Sequence, residues 1–153
     1  MEQNTLRELK KLHNRIREYL EKASDSSLIK RMNTTQLHII GYLIRHEKEE
    51  TCQKDLEIET GLKKASITGA LDSLADKGII RREVAEDDHR KNIVKLTDKF
   101  NSYRRDFERI EDEFNKMITK NISNEEKELF IRVINKLQKN VGEVIGETDS
   151  EIS

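Results

Sequence analysis

The sequence predicts a mainly α fold: a winged helix-turn-helix with a small β-hairpin wing, flanked by N- and C-terminal dimerisation helices. Three observations carry this. Gly61 and Gly78 end two successive short helical segments, at positions where a left-handed residue stops a helix cheaply. Two brief strand-like runs follow, separated by the charged tip EDDHRK at 86–91. On either side lie long stretches whose apolar residues recur every three or four positions, the mark of helices that bury one stripe.

Residues 4–23 carry Leu6, Leu9, Leu12, Ile16 and Tyr19 with Leu20 on one face, and Lys, Arg and Glu on the other, which predicts an amphipathic helix. The Ser-Asp-Ser-Ser stretch within 23–33 reads as a loop, or a loop with one irregular turn. Thr34 or Thr35 then caps a helix to about His46, with Leu37, Ile40, Leu43 and Ile44 inward. Thr51 is placed to accept from the first amides of a helix over about 52–60, with Leu56 and Ile58 inward. Gly61 ends it, and Leu62 turns back into the core. A second helix spans about 64–77, with Ile67, Ala70, Leu71 and Leu74 on one face, and Gly78 ends it. Two helices joined by so short a turn make a helix-turn-helix. Residues 79–85 and 92–96 form the hairpin. Thr97 caps a long helix to about Lys120, with the stripe Phe100, Tyr103, Phe107, Ile110, Phe114 and Met117 with Ile118. Ser123 and Glu126 form a capping box for a last helix bearing Leu129, Phe130, Val133, Ile134, Leu137 and Val141. Beyond Gly146 the polar tail is expected to fray.

Composition narrows the class. The 153 residues amount to one domain. Charged residues make up 39% and hydrophobic ones 34%, with no Trp and no Pro, a thin core for a monomer and a fit for long helices paired with a partner. No apolar run approaches the length of a membrane span and no cleavable leader is visible, so a soluble, cytoplasmic protein is expected. The single Cys allows no internal disulfide and fits a reducing compartment. Net charge is −1, less basic than many DNA-binding domains. The charges are segregated, however: residues 63–99 hold nine Lys or Arg against seven Asp or Glu, while acids gather in 47–59 and in the tail.

The stretch 51–97 resembles the MarR family of bacterial transcriptional regulators, and the flanking helices match that family's layout across nearly the whole chain. The wing carries the most specific likeness. The family has Asp, any residue, Arg, a short run and then Leu-Thr opening a long helix; here stand Asp88-His89-Arg90 and Leu96-Thr97. The end of the second helix, Leu74-Ala75-Asp76-Lys77-Gly78-Ile79-Ile80-Arg81-Arg82, is similar to the family's Leu-x-x-Lys-Gly run. The resemblance implies a single MarR-like domain over 1–153. About 1–30 and 97–146 would intertwine in a homodimer, and about 34–97 would be the DNA-binding lobe. It implies operator binding, usually repression, relieved by a small ligand or by oxidation. Three positions depart from the pattern: Lys63 stands where a Ser or Asp cap is common, Gly69 where a long polar residue is, and Phe100 where a Gly is.

Lys63, Lys64, Ser66 and Thr68 open the second helix, where free amides and short side chains suit phosphates and groove edges; the alternative is a solvated first turn. Gly69 either lets the helix approach DNA closely or is merely a tolerated small residue. Ser73 lies further along. Arg90 fits a narrow, negative minor groove with Asp88 holding it, or else forms an ordinary hairpin ion pair. Of Arg81 and Arg82 one is expected to meet phosphate and the other an acid such as Glu83, with Arg82 taken as the DNA residue. Lys91 and Lys95 lie beside the wing, and Lys91 is counted with the DNA contacts. Tyr19, Tyr42, Tyr103 and Phe107 could wall a pocket for a small aromatic or lipophilic ligand, or simply pack the core. Cys52 stands at a helix start near Lys54, a setting that can activate a thiol for redox sensing, although a small buried hydrophobe is the plainer reading. His13, His38, His46 and His89 show no ligand spacing, so no metal and no cofactor are expected.

These residues predict a homodimeric regulator bound to a pseudo-palindromic double-stranded operator. The rival from another class is a protein-interaction adapter that keeps the winged fold without specific DNA binding. No phosphate loop, dinucleotide fingerprint or nucleophile-base set can be placed, so the chain is not expected to be an enzyme.

Overall fold

The computed structural model describes residues 4–23 and 27–146. Chain order is α1 (Thr5–Ala23), α2 (Ser27–Lys30), α3 (Thr34–Arg45), β1 (Thr51–Cys52), α4 (Gln53–Thr60), α5 (Lys64–Asp76), β2 (Ile80–Val84), β3 (Asn92–Leu96), α6 (Asn101–Ile118) and α7 (Asn124–Ile145). A 3-10 turn, Asp98–Phe100, leads into α6. The mainly α winged helix-turn-helix expected from sequence is what forms.

The core sits where α3, α5, the sheet and the start of α6 converge. Ile39, Ile40, Leu56, Ile67, Leu71, Leu74, Ile79 and Phe100 are fully buried there. The sheet is antiparallel with order β1-β3-β2. Ile80 pairs with Leu96 and Val84 with Asn92, which fixes the wing register, and Thr51 pairs with Val94.

Several sequence expectations need correction. The expected loop with one irregular turn holds the single-turn helix α2, but its Leu28 and Ile29, with Met32 beyond it, join the core. Residues 24–26 of the expected loop, and the tail past Gly146, lie outside the described residues. Helix α3 is capped by Asn33, not by a threonine. Asn33 Oδ1 accepts from the Gln36 amide at 2.8 Å, and Gln36 Oε1 accepts from the Asn33 amide at 3.0 Å. Asn33→Ala is therefore expected to cost about 1 kcal/mol, read as a lowered urea midpoint with unchanged slope; an unaltered midpoint would show the cap to be idle.

Thr51 does not cap α4 because it is committed to the sheet. The entry to α4 is held by Asp55, whose Oδ2 accepts from the Cys52 amide at 2.9 Å. Ile58, expected inward, is exposed. Thr97 makes no side-chain cap for the long helix. Its hydroxyl donates instead to the carbonyls of Gly78 and Ile79, joining the end of the wing to the end of α5. The capping box of Ser123 and Glu126 forms as expected, with Ser123 Oγ accepting from the Glu126 amide at 3.1 Å. The apolar stripe of α7 meets little of its own chain: Leu129, Phe130, Val133 and Val141 are exposed, and Gly142 is the buried residue of that helix.

Candidate nucleic-acid interface

Two helices and a hairpin build the site. Gly61 and Gly78 both adopt left-handed backbone, φ 70° and 73°, so each helix stops where the next segment must reverse. Burial of Ile67, Leu71 and Leu74 against the core turns the other side of α5 outward. Lys64, Ala65, Ser66, Gly69, Asp72 and Asp76 are exposed there. At the helix start, Lys63 occupies the cap position and contributes no side-chain acceptor, leaving first-turn amides without a side-chain partner. A Cβ built at Gly69 meets nothing within 4 Å.

Thr68 is not available in the same way. Its Oγ1 accepts from Gln53 Nε2 at 2.9 Å, across the turn from α5 to α4. This bond braces the two helices against each other. Ser73 Oγ accepts from Lys77 Nζ at 3.1 Å. Both hydroxyls thus have partners inside the lobe.

In the wing, Lys91 N donates to Asp88 O at 3.0 Å and Ala85 N to Lys91 O at 3.1 Å, closing the tip. Asp88 Oδ1 accepts from both the Arg90 amide (3.0 Å) and Arg90 Nε (3.1 Å). The Arg90 guanidinium, and then its amide, hold the Asp88 carboxyl below the usual carboxylate range. A depressed folded pKa means the pair is complete at neutral pH and is lost as pH falls through that lowered value. Arg90 is nonetheless 91% exposed, so it is aimed without being covered. Arg81 and Arg82 both have acids: Arg81 Nε pairs with Glu83 at 2.8 Å and Arg82 Nη2 with Asp72 at 2.6 Å. The sequence expected one of the two to stay free for phosphate. Lys95 also pairs with Glu83, and these two cations hold the Glu83 carboxyl low.

Between wing and helices runs a cleft of about 300 Å³ lined by Lys54, Lys64, Arg90 and Lys91, with Cys52, Gln53, Glu57 and Asn92. It brings helix and wing residues together that stand 26 to 40 positions apart in sequence. Lys54 is the member sequence reasoning missed. Its only signal was a lysine in the first turn of α4.

A profile of the MarR family matches residues 30–91, the segment that holds α3, α4, α5 and the wing tip. The uncharacterized HTH-type transcriptional regulator YdgJ of Bacillus subtilis (strain 168) is 27% identical over 99 residues, 65% of this chain and 60% of that protein. The match therefore spans less than two thirds of that relative's length. The crystal structure of the transcription regulator MarR from Oenococcus oeni PSU-1 is 25% identical and superposes with a TM-score of 0.72 over 89% of this chain and 99% of that one. Residues 30–91 thus match the MarR family, and the chain shares the fold of a MarR regulator over most of its length. Its fold also matches that of MepR from S. aureus in complex with DNA, with a TM-score of 0.75 at 20% identity over 90% of this chain and 96% of that one.

The chain has a second concavity away from the wing. A cleft of about 430 Å³ opens between α1, α3 and α6, walled by Ile16, Leu20, Leu37, Phe107, Ile110 and Phe114, with His38, Glu111 and Asn115 as polar members. Of the four aromatic residues expected at a ligand pocket, Phe107 lines this cleft. Tyr19 packs on its wall residue Phe114 at 5.6 Å. Tyr42 stacks on His46 at 4.1 Å, and burial, with Asp55 and Glu59 nearby, pushes its hydroxyl pKa up. Tyr103 packs against the core. Neither of these two lines the cleft.

Cys52 is half-buried, and its thiol donates to Asp55 Oδ2 at 3.2 Å. The nearest partner of this thiol is thus a carboxyl group, where activation calls for a neighbouring cation. Among the described residues no group of three His, Cys, Asp or Glu side chains is placed to hold a metal ion. No described helix is long and apolar enough to cross a membrane.

Proposed function

We propose that this chain is a cytoplasmic, sequence-specific transcriptional regulator that binds a pseudo-palindromic double-stranded operator as a homodimer and represses from it. The observation that carries this is the basic cleft that sets Lys54 and Lys64 opposite Arg90 and Lys91, directly beside the exposed first turns of α5. In this reading Lys63, Lys64, Ser66 and Gly69 enter a major groove while Arg90 reaches the flanking minor groove. Lys54 and Lys91 neutralise phosphates between them. Residues 34–97 form the DNA-binding lobe, and about 1–30 with 97–146 form the dimer. Two lobes about 34 Å apart then read half-sites one helical turn apart. The dimer reading is supported by the uncovered apolar side chains of α1 and α7, among them Leu6, Leu9, Leu129, Phe130 and Val141.

The mostly apolar cleft against α6 supports a small aromatic or lipophilic ligand as the releasing signal. Release requires that ligand to bind one lobe spacing better than another.

Selection of bound duplexes from a random pool, followed by salt titration on the winner, tests the function. An inverted repeat whose affinity falls steeply with salt is the expected result. No enrichment and a flat response would turn the reading to a protein-binding adapter. On the selected site, Arg90→Ala is expected to reduce the slope of log affinity against log salt by at most about 1. The loss should be larger on A·T-rich flanks than on G·C-rich ones. Equal losses on both flanks would remove Arg90 from the minor groove.

A further inference from the structure

The outward face of α5 changes character along its length. Residues 65, 69, 72 and 76 form one stripe opposite Ile67, Leu71 and Leu74. Its first half holds the small residues Ala65 and Gly69; its second half holds Asp72 and Asp76, and all four are exposed. An acid is an unfavourable neighbour for a phosphate backbone, so its presence on this face needs a reason. Asp72 supplies one. Its carboxylate accepts from Arg82 of β2 at 2.6 Å, and Arg82 is 33% exposed where Arg90 is 91% exposed. The cation on this part of β2 is thus drawn onto the helix and away from solvent.

We infer that Asp72 is a positioning residue that sets DNA specificity by withholding Arg82 from phosphate. The inference rests on the DNA-binding reading above. A phosphate contact adds affinity for every sequence and information about none, so a free Arg82 would raise binding to random DNA. On the operator two effects oppose each other. The extra phosphate contact adds affinity, but the pair that holds α5 against β2 is gone, and Ala65, Ser66 and Gly69 are presented to the bases less rigidly. Random DNA receives only the gain. The ratio of operator to random-DNA affinity therefore falls.

The test uses the full chain and four variants, Asp72→Asn, Asp72→Glu, Arg82→Gln and the double Asp72→Asn/Arg82→Gln, on the selected operator and on a scrambled duplex. Asp72→Asn is expected to steepen the salt slope on scrambled DNA by about 0.9, a gain of about fivefold at 0.15 M salt, and to lower the specificity ratio. Asp72→Glu should keep the native ratio. Arg82→Gln and the double variant should both keep the native slope, because in each the cation is absent. An unchanged slope in Asp72→Asn, or a shallower one in Arg82→Gln, would overturn the inference while leaving DNA binding standing. A flat salt response of the native chain on both duplexes would instead overturn the DNA-binding reading itself. Thermal unfolding separates these results from misfolding, since an exposed ion pair contributes little to stability.

Discussion

Phe100→Ala is expected to remove about 3–5 kcal/mol from the stability of the fold, a large part of the 5–15 kcal/mol typical of a native protein. Phe100 is fully buried, at the point where the wing hands over to α6. Its ring meets that of Phe107 edge-on at 6.1 Å. The Arg104 guanidinium lies 5.6 Å from its centroid, and Arg104 is itself paired to Glu47 beyond α3 at 3.0 Å. Truncation leaves a cavity that the surrounding turn, sheet and helices cannot all close. Phe100→Leu should lose less than half as much, since it keeps most of the volume. Urea unfolding at one fixed protein concentration reads the effect, because the stability of the dimer proposed above depends on concentration. A loss below about 1 kcal/mol would show that the lobe and α6 are joined by something other than this ring.

The second large effect concerns assembly. Phe130 is 52% exposed within the described chain, yet aromatic residues of this size dominate interface energetics when a partner covers them. Phe130→Glu is expected to weaken self-association by at least about a hundredfold, some 2.7 kcal/mol, with helical content retained because the ring contributes little to its own chain's core. Sedimentation across a concentration series measures this. A variant that still sediments as the native species would move the interface off this stretch of α7, and loss of helical signal would show that the ring is needed for folding.

How legible these features were depends on what each one obeys. Features governed by a local period or a local stop could be read directly. The stripes of α1 and α6, the glycine ends of α4 and α5, and the Ser123 capping box all follow from residues a few positions apart. Features decided by distant neighbours could not. Thr51 looks like a cap until Val94 is found beside it. Leu28, Ile29 and Met32 sit too close to a serine-rich stretch to show a period, but the core takes them. Asn33 is masked as a cap by the two threonines that follow it, and only its reciprocal bonds with Gln36 single it out. At the site, Arg90 and Asp88 are two residues apart and their pairing was readable. The grasp of Arg82 by Asp72, ten residues upstream, needed the fold, as did the use of Thr68 by Gln53.

The bonds at the end of α5 have a mechanical meaning. Thr97 ties the carbonyls of Gly78 and Ile79, and Lys99 Nζ donates to the Lys77 carbonyl at 2.9 Å. The tail of α5 is thereby fastened to the root of α6. A helix of 18 residues is about 27 Å long, so tilting it by about 10° about its outer end sweeps the root through about 5 Å, close to one helical turn. The wall of the apolar cleft is part of that same helix. A displacement there reaches the end of α5 as a change of pitch and reach together, with α6 as a rigid arm and the Thr97 and Lys99 bonds as its coupling.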